Sequence, residues 1–116
     1  MATNYIGTGT LLANTTVTAF YGVVLSSNRG VGLSSATDCD GFAQIDAASG
    51  DYVTVAFLTN FGTQKGVVTA APVTVGDTLY LGASGLVSTT GTITIGKSLT
   101  TTSSNGAVIE FIPKNL

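Results

Sequence analysis

Short stretches in which apolar and polar residues alternate, each closed by a glycine turn, are the feature that most constrains how this chain can fold. The clearest is TITIG, residues 92–96, which places Ile93 and Ile95 on one side and two threonines on the other. An alternation with a period of two is typical of β-strands. Because no stretch combines a 3.6-residue apolar period with helix caps, the sequence predicts at most one helical turn.

The other predicted strands are rich in β-branched and aromatic residues, which favour extended backbone. They cover residues 16–25, 31–35, 42–46, 52–59, 67–70, 78–81, 86–89 and 107–112. Many short strands separated by glycine-rich turns predict an all-β fold, an antiparallel β-barrel or sandwich. The length of 116 residues fits a single small domain.

The first fifteen residues show no sustained period. We predict that residues 1–15 form an extended N-terminal arm and that residues 16–116 form the single β-domain. The alternative is a frayed terminus with one short edge strand. The isolated apolar residues of this segment are Tyr5, Ile6, Leu11 and Leu12.

The sequence also repeats itself. GVGLSSATDC leads through a loop to GDYVTVAFL, and TIGKSLTTTSS leads through a loop to AVIEFIP. Both pairs combine a short strand, a hydroxyl-rich loop, a turn and a strand with a phenylalanine near its end. This pattern predicts two similar sub-sheets.

Charge argues against nucleic-acid binding. Only 9% of the residues are charged, and the basic residues are scattered along the chain at Arg29, Lys65, Lys97 and Lys114. Binding to DNA or RNA requires a cationic patch that displaces counterions from phosphates. We therefore expect no nucleic-acid partner.

Residue types also argue against catalysis. The chain has no histidine, so Ser-His-Asp and Cys-His arrangements and histidine-ligated metals are impossible. Asp38 and Asp40 flank Cys39, but the residues that follow supply no further carboxylate for a calcium loop. The segment fits a turn held by aspartate side chains, with Gly41 at positive φ. We expect no enzyme activity, no cofactor and no metal.

Targeting signals are not recognisable at the start of the chain. The first residues lack the basic and apolar regions of a signal peptide, and the longest apolar stretch is far shorter than a membrane span. We expect a chain that is made in the cytoplasm of its host and has no membrane partner.

The second half of the sequence resembles the capsid cement, or head decoration, proteins of tailed phages. That family shares a run of the form VxxGDxLYL, a glycine turn, a short strand, IGxxL and a last strand rich in valine and isoleucine. The matching residues here are Val75, Gly76, Asp77, Leu79, Tyr80, Leu81, Gly85, Val87, Ile95, Gly96 and Leu99, followed by residues 107–112.

The resemblance implies a structural virion protein of a bacteriophage. Such a protein binds the major capsid protein on the outer surface of the head, sits as a homotrimer at threefold positions and resists the pressure of packaged DNA. We predict that the arm makes this contact by adding a strand to the capsid sheet, with Tyr5, Ile6, Leu11 and Leu12 as anchors. If it does not, loops 60–66 and 38–41 are the next candidates.

A second interpretation uses the same composition. A carbohydrate- or receptor-binding module of a phage tail or fibre stacks aromatic rings against its ligand. The chain has no tryptophan, and the tyrosines that could serve instead are Tyr5, Tyr21, Tyr52 and Tyr80.

Overall fold

The computed structural model describes residues 8–58 and 62–114, and it confirms the all-β fold. The described residues form ten strands and one short 3-10 turn, Ala83–Gly85. The strands are β1 (Thr8–Ala13), β2 (Gly22–Ser27), β3 (Gly30–Leu33), β4 (Gly41–Ala43), β5 (Tyr52–Phe57), β6 (Gln64–Val67), β7 (Thr78–Leu81), β8 (Val87–Ser88), β9 (Thr94–Ser98) and β10 (Val108–Pro113).

The strands form two five-stranded groups. The first five strands make a closed barrel in the order β1-β3-β2-β4-β5, with β1 paired to both β3 and β5. The last five make a sheet in the order β6-β10-β9-β7-β8, whose two edges are linked by a parallel bridge between Val68 and Val87. We call residues 8–58 the first unit and residues 62–114 the second unit.

The two units have the same topology and the same register. In each, the first strand runs parallel to the third strand and antiparallel to the fifth. Leu12 lies opposite Tyr52 in the first unit, and Val67 lies opposite Val108 in the second. The pairings of β4 with its neighbours repeat in β9 as well. The predicted match of GDYVTVAFL with AVIEFIP is confirmed, because these segments contain β5 and β10. The predicted match of GVGLSSATDC with TIGKSLTTTSS is wrong, because the first contains β3, whose counterpart is β8, whereas the second contains β9, the counterpart of β4.

Each unit is closed by two loops that cross. Val17 and Ala47 exchange both backbone hydrogen bonds, at 2.8 and 2.9 Å, and Val73 and Thr102 do the same at 2.8 Å. In the turn after each crossing, a backbone amide donates a hydrogen bond to a backbone carbonyl at or next to the end of a distant strand. The donor and acceptor pairs are Gly50 to Ala13, Phe20 to Ala43, Gly76 to Ser98, and Gly106 to Val68. These bonds satisfy backbone groups that would otherwise be buried without partners.

Gly41 and Gly96 occupy the same position in the two units. A Cβ at Gly41 would lie 2.5 Å from the carbonyl oxygen of Ala56, and a Cβ at Gly96 would meet the carbonyl of Ile112. The expected positive φ at Gly41 is wrong, because this glycine belongs to strand β4 and is not among the residues with positive φ. Close approach of the neighbouring strand, rather than turn geometry, excludes a side chain there.

Each unit has its own apolar core, and the first unit contributes to both. Val23, Val53 and their neighbours fill the first barrel. Leu79, Ile109 and Phe111 fill the second unit, where Cys39 and Phe42 of the first unit join them. The rings of Phe42 and Phe111 meet edge to face, with centroids 5.4 Å apart at 72°. The two units are therefore joined through a shared apolar contact.

The predicted N-terminal arm is wrong over residues 8–13. These residues are strand β1, which closes the first barrel, and Leu11 and Ala13 are buried in its core. Every second residue at the end of this strand is buried, but Leu11 and Leu12 are adjacent apolar residues, so its sequence does not alternate between apolar and polar. Residues 1–7, with Tyr5 and Ile6, lie outside the described residues.

Candidate protein-binding surfaces

The predicted capsid anchors are not brought together on the described surface. Tyr5 and Ile6 lie outside the described residues. Leu11 is 8% exposed and packs inside the barrel, while Leu12 is half-buried and donates its amide to the carbonyl of Arg29. A side chain that fills the core is not available to a partner, so Leu11 is not an anchor in this fold.

The two loops named as alternatives have structural roles in the part that is described. Gln64, at the start of β6, donates its side-chain amide to the carbonyl of Phe57 at 2.9 Å and so links the units. In the other loop, the carboxylate of Asp40 accepts the amide of Leu25 at 2.8 Å.

Cys39, next to Asp40 in the chain, is buried, and its thiol donates a hydrogen bond to the carbonyl of Gly41. Burial raises the pKa of its thiol from the ordinary value of 9.0 to about 11, and the hydrogen bonds oppose the rise only in part. A thiol that stays protonated is a poor nucleophile. Within residues 8–58 and 62–114, no three His, Cys, Asp or Glu side chains are placed to hold a metal ion.

The first unit carries a cleft of about 410 Å³ at its crossed loops, which we call the acidic cleft. Its polar and aromatic lining includes Asp46, Asp51 and Tyr52, with Thr16 and Thr18 beside them. Tyr52 is 70% exposed, whereas Tyr21 and Tyr80 are half-buried. Of the described tyrosines, Tyr52 is thus the one whose ring is presented to a partner.

The repeat shows that the charge in this cleft is not required by the fold. Asp46 accepts the amide of Ala19 at 2.7 Å, and at the equivalent position Thr101 accepts the amide of Val75 at 3.1 Å. A hydroxyl therefore performs the structural role of the carboxylate. By register, the counterparts of Asp51 and Tyr52 are Ala107 and Val108.

The second unit carries a groove of about 530 Å³ on the outer side of its sheet, which we call the basic face. Lys97, Ile112 and Lys114 line it, with Thr78 at its side. Both lysines are exposed, and Ile112 is 52% exposed. An exposed isoleucine between two ammonium groups combines apolar area with positive charge.

Charge is divided between the units. The first has four aspartates and one arginine, and the second has three lysines, one aspartate and one glutamate, which gives net charges of −3 and +1. Sequence reasoning found the lysines scattered, because they are far apart in the chain. The register of the two units places Lys97 at the position of Phe42 and Asp51 at the position of Ala107.

The described part of the chain contains no helix long and apolar enough to cross a membrane. The family profile described as phage cement protein matches residues 4–112. The chain belongs to the phage cement protein family. This membership implies a structural, non-enzymatic role in association with the phage head.

A solved structure has a fold similar to that of this chain. The N base of the head fibre gp8.5 of bacteriophage phi29 matches with a TM-score of 0.77 at 18% sequence identity, over 93% of each chain. At that identity the likeness concerns the fold alone. None of the curated proteins compared with the chain matches it.

Proposed function

We propose that this cement protein binds the outer surface of a phage head, contacts the major capsid protein there as a homotrimer and stabilises the head against the pressure of its DNA. Its membership of the phage cement family, across residues 4–112, is the observation that carries this proposal. Two barrel-like units that share an apolar contact fit a mechanical role, because such a body resists deformation. Synthesis in the host cytoplasm is part of the same proposal.

The N-terminal segment remains our proposed capsid contact, now limited to residues 1–7. Tyr5 and Ile6 are the apolar anchors within it, and β1 directly follows it in the barrel. Ordering seven residues on the capsid costs backbone entropy of about 1–2 kcal/mol per residue, so the anchors must bury apolar area to offset this.

A decoration assay tests the proposal. Heads that lack the protein are mixed with the wild type or with a variant lacking residues 2–7, and the bound protein is measured by sedimentation. We expect the wild type to saturate the heads and to raise the temperature at which they rupture. The deletion should leave the melting temperature of the free protein near that of the wild type, because β1 is intact.

Two results would contradict the proposal. If the wild type does not bind heads, the cement function fails for this chain. If the deletion variant decorates them at wild-type occupancy, the contact lies on the described units instead.

Counting copies in purified virions separates the cement function from the alternative of a tail or fibre module, because a cement protein covers the head and a fibre is present in far fewer copies.

A further inference from the structure

One side of the first unit is already a docking surface for another protein unit. Phe42 and Leu58 pack against the core of the second unit, and the ring of Phe42 lies beside Gly66. A Cβ on Gly66 would lie 2.7 Å from the side chain of Val87 and 3.4 Å from the ring of Phe42, so this part of the contact is closely packed. This side of the five-stranded unit is thus built to contact a neighbour.

The same side of the second unit is the basic face. Register places Lys97 where the first unit has Phe42, since Phe42 pairs with Gly22 and Ala56 while Lys97 pairs with Thr78 and Ile112. The backbone bond from Leu58 to Asp40 likewise recurs from Lys114 to Ile95. The docking side is therefore repeated, but in the second unit it is exposed and carries two lysines.

The partner that fits this face is acidic, and the same chain supplies one. The acidic cleft holds two carboxylates whose counterparts in the second unit are uncharged, Thr101 and Ala107, beside a tyrosine that is 70% exposed. A lysine ammonium can bind carboxylates and also lie over the face of an aromatic ring. The exposed part of Ile112 adds apolar area that a tyrosine ring can cover.

We propose that the basic face of one copy docks on the acidic cleft of the next copy. Lys97 and Lys114 would face Asp46 and Asp51, and Ile112 would cover Tyr52. Because the two surfaces differ and lie on different units, the contact is head to tail, and it leaves no free surface when the copies close into a ring. The inference rests on the self-association in the proposed function and names its interface.

Charge reversal and restoration test this interface. One variant carries Lys97→Glu and Lys114→Glu, a second carries Asp46→Thr and Asp51→Lys, and a third combines all four changes. Asp46→Thr is chosen because Thr101 makes the equivalent hydrogen bond in the second unit. Sedimentation equilibrium measures the association constant of each at low and high salt, and circular dichroism with thermal melting checks the fold.

We expect the wild type to associate and each of the first two variants to associate at least about tenfold more weakly, since like charges then face each other. The combined variant should associate at least about threefold more tightly than either reversal variant, because the lysine introduced at position 51 then faces the two introduced glutamates. Association of the wild type should weaken as salt rises. If a reversal variant fails to fold, Lys97→Ala with Lys114→Ala replaces it and should also weaken association.

The proposal is overturned if the wild type is monomeric, if a folded reversal variant associates as tightly as the wild type, or if the combined variant does not recover. A reversal variant that keeps its oligomeric state but no longer decorates heads would assign the face to the capsid and also overturn it. Decoration is scored separately from association. A wild type that associates but does not bind heads refutes the proposed function and leaves this interface standing.

Discussion

Replacing Phe42 with alanine should lower the free energy of unfolding and weaken the coupling between the two units. The side chain is 1% exposed, lies in the core of the second unit and meets Phe111 edge to face at 5.4 Å. Truncation of a buried phenylalanine costs about 3–5 kcal/mol, which includes the lost ring pair. At about 4 °C per kcal/mol for a chain of this length, the melting temperature should fall by about 12–20 °C.

Denaturant unfolding followed by circular dichroism measures this effect, at high salt and at a protein concentration too low for copies to associate. Lys97→Ala is the matched control, because Lys97 holds the equivalent position in the second unit. The control removes an exposed side chain and should change the free energy of unfolding by less than about 0.5 kcal/mol. We also expect the Phe42→Ala transition to broaden, since the units then unfold less cooperatively. If Phe42→Ala costs no more than Lys97→Ala, the shared contact does not join the units.

Three further predictions concern single positions. Gly96→Ala should destabilise the protein by about 1–3 kcal/mol in chemical denaturation, because the added carbon meets the carbonyl of Ile112, whereas Gly32→Ala, whose nearest neighbour lies 3.6 Å away, should be nearly neutral. Asp46→Ala should cost about 1 kcal/mol through the lost bond to the Ala19 amide, and Asp46→Thr clearly less; equal costs would refute the equivalence with Thr101. The free energy of unfolding should fall as the pH rises from 9 to 11, because the Cys39 thiol has a pKa of about 11 in the folded state and loses its proton at lower pH in the unfolded state. If Cys39→Ala shows the same pH dependence as the wild type, this explanation is wrong.

Local pattern located several strands, although the clearest alternation, residues 92–96, begins two residues before β9 (Thr94–Ser98). The predicted strand over residues 78–81 is β7 as observed, and β5 begins at Tyr52 as predicted. Pattern failed where backbone conformation changes within a β-rich run: residues 16–25 contain an isolated bridge at Val17, a turn with Phe20 at a φ of 68°, and only then β2. Strand propensity does not predict the left-handed backbone conformation of Phe20, because phenylalanine is typical of strands.

The candidate surfaces depend on register, which a single sequence does not specify. Lys97 and Lys114 lie seventeen positions apart in the chain, yet they line one groove because β9 and β10 pair. Asp46 and Tyr52 line one cleft because the loop between them turns at Gly50, which has a positive φ. The family resemblance predicted the kind of protein, whereas the acidic and basic positions become visible only when the two units are superposed through their pairings.

In each unit of this protein, the first and last strands pair side by side. Thr8 pairs with Ala56 in the first unit, and Gln64 pairs with Phe111 in the second, so the chain enters and leaves each unit on adjacent antiparallel strands. A segment whose ends lie side by side can be added to or removed from a chain without pulling its neighbours apart. The fold is thus modular along the sequence, because each unit is closed by the strands at its own two ends.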